Sequence, residues 1–202
     1  MTAEIAARGA AVVGVDRAPA FVDAARARGL DARLVDAAHL PFAAEFDAAF
    51  SNAAMHWMPD HDAVVAGVRR ALVPGGRFAG ELGGHGNVAA IRVAMAAVLA
   101  RRGVAFESPW NFPTAERFRR VLERHRFRVD LVTLFARPTP LPTGMTGWLD
   151  MFAEGLFARV PEGERASARD EVAALLAPAL RDDEGRWTAD YVRLRFLAHA
   201  VD

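Results

Sequence analysis

Short apolar runs alternate with amphipathic segments over the first 82 residues of the chain. Four runs have the length and composition of buried strands, at residues 11–15, 31–35, 46–52 and 77–82. The segments 19–29 and 60–72 separate them and carry apolar side chains at helical spacing. Strands that alternate with helices through short loops predict a parallel sheet covered by helices on both faces. The pattern therefore favours an α/β fold.

The remainder of the chain is mostly helical in pattern. Helix-period segments lie at residues 88–102, 114–127, 146–160 and 164–180, and strand-like runs lie at 128–142 and 191–201. Thr114 is the predicted N-cap of its helix, and the spacing of its apolar residues predicts a buried face of Phe118, Val121 and Leu122. No repeat or linker interrupts the pattern, so we predict one domain over residues 1–202.

Composition and charge narrow the possible functions. The 202 residues are 52% hydrophobic, and 25 basic residues balance 25 acidic ones, so no bulk positive field favours nucleic acid as a partner. The chain has no cysteine, which excludes disulfides and thiolate chemistry. No apolar run reaches the roughly 18 residues that a membrane span requires. We expect a cytoplasmic protein that acts on a small molecule, without a metal site and with its oligomeric state left open.

Polar residues end three of the predicted strands: Asp16, Asp36 and Asn52. Ligands of open parallel sheets bind beyond the carboxyl ends of the strands, where successive loops converge. An acid at such a position can accept hydrogen bonds from the two hydroxyls of a ribose. The alternative is that these aspartates only cap the turn or helix that follows them.

The order of these segments resembles a known enzyme family. The runs VVGVD, RLVDAAHLPF, FDAAFSNAAMHWM and ALVPGGRF are similar to the motifs that follow the glycine-rich loop in class I S-adenosylmethionine-dependent methyltransferases. Further segments resemble the trans-aconitate methyltransferase-like branch of that family: GGHGNVAAI, PWNFP, RPTPLP, GWLDMF and GRWTADYVRLRF. The resemblance implies a Rossmann-like three-layer sandwich whose last strand runs antiparallel, and methyl transfer from S-adenosylmethionine. We expect the acceptor to be a small molecule that carries a carboxylate or a hydroxyl.

The resemblance also assigns residues to the methyl donor. It implies that Asp16, with Arg17 beside it, holds the ribose, and that Asp36 and Ala37 lie at the adenine edge. Asn52 would end the strand beneath the methionine part of the cofactor. Methyl transfer from a sulfonium is an in-line displacement, so orienting the acceptor supplies most of the acceleration.

Six further residues are candidates for the acceptor side of the site. His56 can orient or deprotonate an acceptor because histidine titrates near neutral pH, and Trp57 can wall the sulfonium through its ring. Either side chain can equally belong to the core. Trp110 lies among prolines in the segment 108–113, where it is a candidate lid. Arg137 can hold an acceptor carboxylate in a bidentate fork, as can Arg193 and Arg195, although each can also be a plain surface charge.

A second glycine motif supports a competing hypothesis. Residues Gly84 to Ala89 match G-x-G-x-x-A between a predicted strand and a predicted helix, which is a dinucleotide fingerprint. The acid that should follow about 20 residues later would have to end a strand, but Glu107 lies in a proline-rich segment instead. An NAD-dependent oxidoreductase is therefore the third hypothesis, after a non-catalytic remnant that acts as a binding module.

The chain departs from the family pattern at its start. Members carry a strand and a glycine-rich loop before the helix that ends near Gly9, and that loop, about 20 residues before the ribose acid, would precede Met1. The missing strand lies between the strands that end at Asp16 and Asn52, so its loss leaves two edges unpaired or forces them together. We expect the domain to be incomplete at its N-terminus and its activity to be in doubt. We hypothesise that this chain binds S-adenosylmethionine weakly and an upstream-extended form binds it, which calorimetry tests.

Overall fold

The computed structural model describes residues 2–202. Eight helices are present: α1 (Thr2–Ala7), α2 (Pro19–Arg26), α3 (His61–Ala71), α4 (Ala89–Ala100), α5 (Ala115–Arg124), α6 (Gly144–Phe152), α7 (Glu154–Phe157) and α8 (Arg165–Leu180). Eight strands accompany them: β1 (Val13–Asp16), β2 (Asp31–Leu34), β3 (Phe46–Asn52), β4 (Leu72–Gly83), β5 (Phe127–Ala136), β6 (Thr139–Leu141), β7 (Trp187–Ala189) and β8 (Val192–Ala200). Short 3₁₀ helices occupy Ala37–His39, Met55–Trp57 and Glu162–Glu164.

The strands form three hydrogen-bonded groups. β1 and β2 pair in parallel, and β6 and β7 pair antiparallel. The largest group has the order β3-β4-β8-β5, in which β3 is parallel to β4 and β8 is antiparallel to both β4 and β5. The closing strand thus runs against its neighbours, which confirms the antiparallel last strand expected from the sequence.

The edges of β1 and β3 that would face each other are unpaired. Among residues 2–202, β1 pairs only with β2, and β3 pairs only with β4. The sequence predicted this as one of two outcomes for a sheet without a strand between these two. The carboxyl ends of β1, β2 and β3 still carry the predicted polar residues.

Several predicted boundaries differ in the structure. The run predicted at 128–142, for example, is two strands, β5 and β6. β4 begins at Leu72 rather than at residue 77, and the register opposite β3 jumps between Phe46 and Ala48, so the strand passes through an irregularity at the Pro-Gly-Gly turn. The helix predicted at 146–160 is two helices that meet at Ala153, whose own side chain is buried. The helix breaks where Ala153 is buried, and the local periodicity of the sequence does not reveal that burial.

Two apolar clusters form the interior. The first lies between the β3-β4-β8-β5 sheet and helices α3 and α5, and it contains the predicted buried face of α5 together with Phe78, Leu82, Leu194 and Phe196. The second is built by α4, α6, α7 and α8, with Trp110 and Trp148 among its members. The loops after β3 and β4 connect the two clusters, so the residues beyond these strand ends have packed layers on both sides.

Candidate functional site

Asp16 and Asp36 lie side by side at the carboxyl ends of β1 and β2. Asp16 is opposite Leu34 in the strand register, and its carbonyl oxygen accepts a hydrogen bond of 3.0 Å from the Val35 amide. Each aspartate uses one carboxylate oxygen to cap the following turn, Asp16 from the Ala18 amide at 2.8 Å and Asp36 from the Ala38 amide at 2.9 Å. Both aspartates are exposed.

Capping therefore uses only one of the two oxygens of each carboxylate. Among residues 2–202 the second oxygen of Asp16 has no hydrogen-bond partner, and that of Asp36 has only the His39 ring nitrogen 3.9 Å away. Arg17 is exposed beside Asp16, and Ala37 is partly buried beside Asp36. The structure brings these four predicted residues to one edge with acceptor oxygens available to a ligand.

Asn52 borders a pocket of about 190 Å³. Ala53 follows Asn52 with a positive φ of 53° and donates its amide to the Glu81 carbonyl at 2.8 Å. This turn directs the chain away from β3 at the point where Asn52 faces solvent. The pocket is lined by Asn52, Ala53, Glu81, Arg137, Thr139 and Arg193.

Glu81 gathers three arginines at this pocket. Its carboxylate accepts from Arg137 at 2.7 Å and from Arg195 at 2.6 Å, and Arg193 lies 3.9 Å away. The Glu81 side chain is only 11% exposed. One carboxylate against three guanidiniums leaves an excess of positive charge beside Asn52.

Arg193 is the most constrained of these arginines. Its guanidinium lies 4.5 Å from the centre of the Tyr191 ring, and its Nε is buried without a hydrogen-bond partner among the described residues. Burial lowers the pKa of Arg193 from its ordinary value, although the group remains a cation at neutral pH. A buried, incompletely paired cation is an attractive position for an anionic ligand. Glu81 was not among the site residues predicted from the sequence. The signal that could have indicated it is the alternation of arginines in β8, which pairs with β4 and its Glu81.

His56 is buried between the loop after β3 and the end of β4. Its Nδ1 accepts a hydrogen bond of 3.1 Å from the Gly83 amide, so the ring proton of the neutral form is on Nε2. Burial, with added repulsion from Arg193 and His61, lowers the pKa of His56 to about 4. The ring is neutral near pH 7 and weakly basic, so its geometry supports a positioning role more than proton abstraction.

Trp57 and Trp110 belong to one aromatic group. Their rings meet edge to face with centroids 5.7 Å apart, and Trp110 also stacks on Phe112 at 5.9 Å. Trp110 is 8% exposed and contacts Trp148, which places it inside the second apolar cluster. Trp57 remains partly exposed and lines a second, larger cavity. The contact of either ring with an acceptor stays a prediction.

Backbone N–H groups of the Gly84–Ala89 loop already donate to other groups of the protein. The amides of His85 and Val88 donate to the carbonyls of Pro113 and Asp190, and the Ala90 amide donates to the Asp190 carboxylate at 2.8 Å. A Cβ on Gly84 would lie 2.2 Å from the Leu134 side chain, so this glycine is required for packing. A phosphate cradle needs free amides, and nothing in this loop supports the dinucleotide hypothesis.

Residues 2–202 hold neither a candidate metal site nor a candidate membrane-spanning helix. No group of three or more histidine, aspartate or glutamate side chains there is arranged to hold a metal ion. Among the helices of the same residues, none combines the length and apolar character needed to cross a membrane.

Solved structures share the fold. A methyltransferase structure from Bacillus halodurans superposes with a TM-score of 0.66 at 17% identity, over 95% of this chain and 83% of its own. A structure from Methanosarcina mazei described as a SAM-dependent methyltransferase has a TM-score of 0.59 at 14% identity, over 100% of this chain and 87% of its own. At this identity the likeness shows the Rossmann-like methyltransferase fold.

Sequence relatives carry the assignment further. A family profile described as "Methyltransferase domain" matches residues 1–80. An uncharacterised methyltransferase of Schizosaccharomyces pombe is 35% identical over 214 residues, which cover 98% of this chain and 82% of that protein. A trans-aconitate 2-methyltransferase of Variovorax paradoxus is 35% identical over 56% of this chain and 43% of its own length. The chain therefore belongs to the S-adenosylmethionine-dependent methyltransferases.

Proposed function

We propose that the protein transfers the methyl group of S-adenosylmethionine to a carboxylate of a small molecule, held beside Asn52 by Arg137 and Arg193. The observation that carries this proposal is the excess positive charge that the arginines around Glu81 leave in the 190 Å³ pocket. A hydroxyl acceptor is the other class considered from the sequence, and it offers no charge to match this pocket. The name of the trans-aconitate 2-methyltransferases indicates an acid as the acceptor of those relatives.

The residues at the strand ends fit the donor. The unpaired oxygen of Asp16 can accept from ribose hydroxyls, and the Asp36 carboxylate with the Ala37 backbone can meet the edge of an adenine. When bound, S-adenosylmethionine supplies an electrophilic methyl group on a positively charged sulfur. Asn52 lies at the end of β3 and lines the acceptor pocket, so it is positioned between the two halves of the site.

The chain's own contribution to the chemistry is binding and orientation. A carboxylate acceptor is already ionised at neutral pH, so no side chain has to remove a proton. Arg137 and Arg193 would fix one carboxylate oxygen towards the methyl group and shield the other, which aligns the two reacting atoms. His56, neutral and hydrogen-bonded to Gly83, holds the end of β4 in place beneath them.

A matched pair of arginine variants tests the proposal. Arg137 and Arg195 both bind the Glu81 carboxylate, but only Arg137 lines the pocket. With saturating methyl donor and a panel of di- and tricarboxylic acids, Arg137→Gln should raise the acceptor KM about tenfold or more and also lower kcat, because one of the two groups that align the carboxylate is lost. Arg195→Gln should change KM by less than about threefold.

Two outcomes contradict the proposal. Equal effects of the two substitutions on KM would show that the pocket does not bind the acceptor. Turnover of matched alcohols or amines at higher kcat/KM than the acids would assign the acceptor to another class. Calorimetry with S-adenosylhomocysteine on each variant separates a loss of acceptor binding from a loss of donor binding.

A further inference from the structure

A second cavity lies beside Trp57 and has no role in the proposed transfer. Its volume is about 370 Å³, within the range of about 300 to 1,000 Å³ that small-molecule sites occupy. It is bounded by the turn that follows β3, the proline-rich segment before Trp110 and the junction of α6 with α7. Its lining consists of Trp57, Glu107, Pro109, Phe152, Ala153, Gly155, Leu156 and Arg159.

Two aromatic rings line the cavity. The rings of Trp57 and Phe152 are within 27° of parallel, with centroids 6.5 Å apart. Trp110 packs against Trp57 at 5.7 Å, and Trp148 packs against Phe152 at 5.2 Å, so neighbouring rings hold both in place. A flat ligand can stack on a ring that is already held in place, which keeps the entropic cost of binding low.

The charges at the rim cancel. Glu107 and Arg159 are the only ionisable residues among those lining the cavity, and they form an ion pair with an Nη1–Oε2 distance of 3.3 Å. A charged ligand would have to compete with this pair or lie against a like charge. The net charge of the lining is zero, in contrast to the arginine-rich pocket beside Asn52.

Gly155 leaves part of the cavity open. A Cβ at this position would meet no heavy atom within 4 Å, although the residue lies within α7. A larger side chain can therefore extend from the backbone of Gly155 without a clash at its Cβ. Gly163, in the last 3₁₀ helix, has the same open environment but does not line the cavity.

We propose that this cavity is a binding site for a neutral, planar aromatic ring compound, which stacks on Trp57 or Phe152. The inference rests on the two aromatic rings in the lining, which their neighbours hold in place, and on the balanced charge. It does not depend on the acceptor being a carboxylate, because the arginine pocket and this cavity share no lining residue.

Binding of bicyclic probes to the full chain tests the site. Calorimetry and saturation-transfer NMR should detect 2-naphthol, and decahydro-2-naphthol, which has the same carbon skeleton but is not planar, should bind about tenfold more weakly. The 2-naphthoate anion and the 2-naphthylmethylammonium cation should also bind more weakly than 2-naphthol. Failure of 2-naphthol to bind, or tighter binding of either ion, would overturn the proposal.

Variants then locate the site. Gly155→Leu should abolish 2-naphthol binding by filling the cavity, whereas Gly163→Leu should leave the affinity unchanged. Phe152→Leu keeps apolar bulk but removes one ring, and it should weaken 2-naphthol more than decahydro-2-naphthol. Circular dichroism checks that each variant is folded. Unchanged affinity in folded Gly155→Leu would place the bound probe elsewhere and refute the assignment.

Discussion

His56 and His61 show how burial changes the chemistry of a side chain at the residue scale. Both rings are buried, and burial is the largest cause of the lowered pKa of each. His61 donates from Nε2 to the Met55 carbonyl oxygen 3.0 Å away, and His56 accepts from the Gly83 amide. The two neutral rings therefore hold the loop after β3 in place through these hydrogen bonds. The sequence alone made His56 a candidate base because exposed histidine titrates near neutrality.

The lowered pKa of His56 predicts how stability depends on pH. The unfolded chain binds a proton on this ring near its ordinary pKa of 6.5, but the folded chain binds it only near about 4. Stability should thus be greatest above about pH 6.5 and decrease as the pH falls towards about 4, with a contribution of up to about 3 kcal/mol from this residue. Urea denaturation of the wild type and of His56→Asn, at about pH 7 and about pH 5, measures it.

The variant also supplies the control. His56→Asn should be less stable than wild type at neutral pH by about 1 to 3 kcal/mol, because the Asn oxygen can still accept from the Gly83 amide but the smaller side chain leaves part of the buried ring volume empty. Its stability should change less between the two pH values than that of the wild type. An identical pH dependence in both proteins would contradict the assignment of a buried neutral His56.

Helix ends decide much of the local structure at the element scale. The Thr114 hydroxyl accepts from the Arg117 amide at 3.1 Å, which confirms the predicted N-cap of α5, and the predicted buried face of that helix is buried. At the other end of α5, Arg126 adopts a positive φ of 59° before β5 begins. This left-handed position after a helix is one that glycine occupies with least strain.

Arg126→Gly should therefore stabilise the protein. The left-handed conformation costs a residue with a Cβ roughly 1 to 2 kcal/mol, and glycine's greater freedom in the unfolded chain offsets part of that gain. We expect a net gain of about 0.5 to 1 kcal/mol in the free energy of unfolding, measured by urea titration. Arg120→Gly, at an exposed position inside α5, should instead destabilise by about 1 kcal/mol. A loss of stability in Arg126→Gly would show that its side chain matters more than its backbone conformation.

The division of the strands into separate groups is the main feature of the whole molecule. β8 has a partner on each side over nearly its whole length, whereas β1 and β2 form a two-stranded pair in which only Ala32 is buried. An isolated two-stranded pair is marginally stable and gains stability only from what packs on it. The donor residues Asp16 and Asp36 lie at the ends of this less supported unit.

Hydrogen exchange should reveal this difference. We expect the amides of β1 and β2 to exchange at least about tenfold faster than those of β4 and β8, because local opening requires less burial to be lost. Mass spectrometry of peptides from residues 10–36 and 190–201 compares the two regions within one sample. Equal protection of both regions would show that the separate groups open as a single cooperative unit.

Local pattern in the sequence was sufficient for most elements and for the strand-end residues. The strand at residues 46–52 has the predicted limits, and Asp16, Asp36 and Asn52 lie at or just beyond strand ends as predicted. Such features depend on periodicity and on which residues end an apolar run, and both are written along the chain. The order of the motifs likewise identified the methyltransferase family before any contact was known.

Only the tertiary structure decided which distant residues meet. Glu81 of β4 joins Arg195 of β8 and Arg137, which follows β5, and the Gly84–Ala89 loop donates its amides to Pro113 and Asp190. The low basicity of His56 likewise follows from the layers packed around it. The charge balance of a pocket, the pKa of a buried group and the hydrogen-bond partner of an amide each depend on which residues surround it in space. Positions along the sequence carry little information about those neighbours.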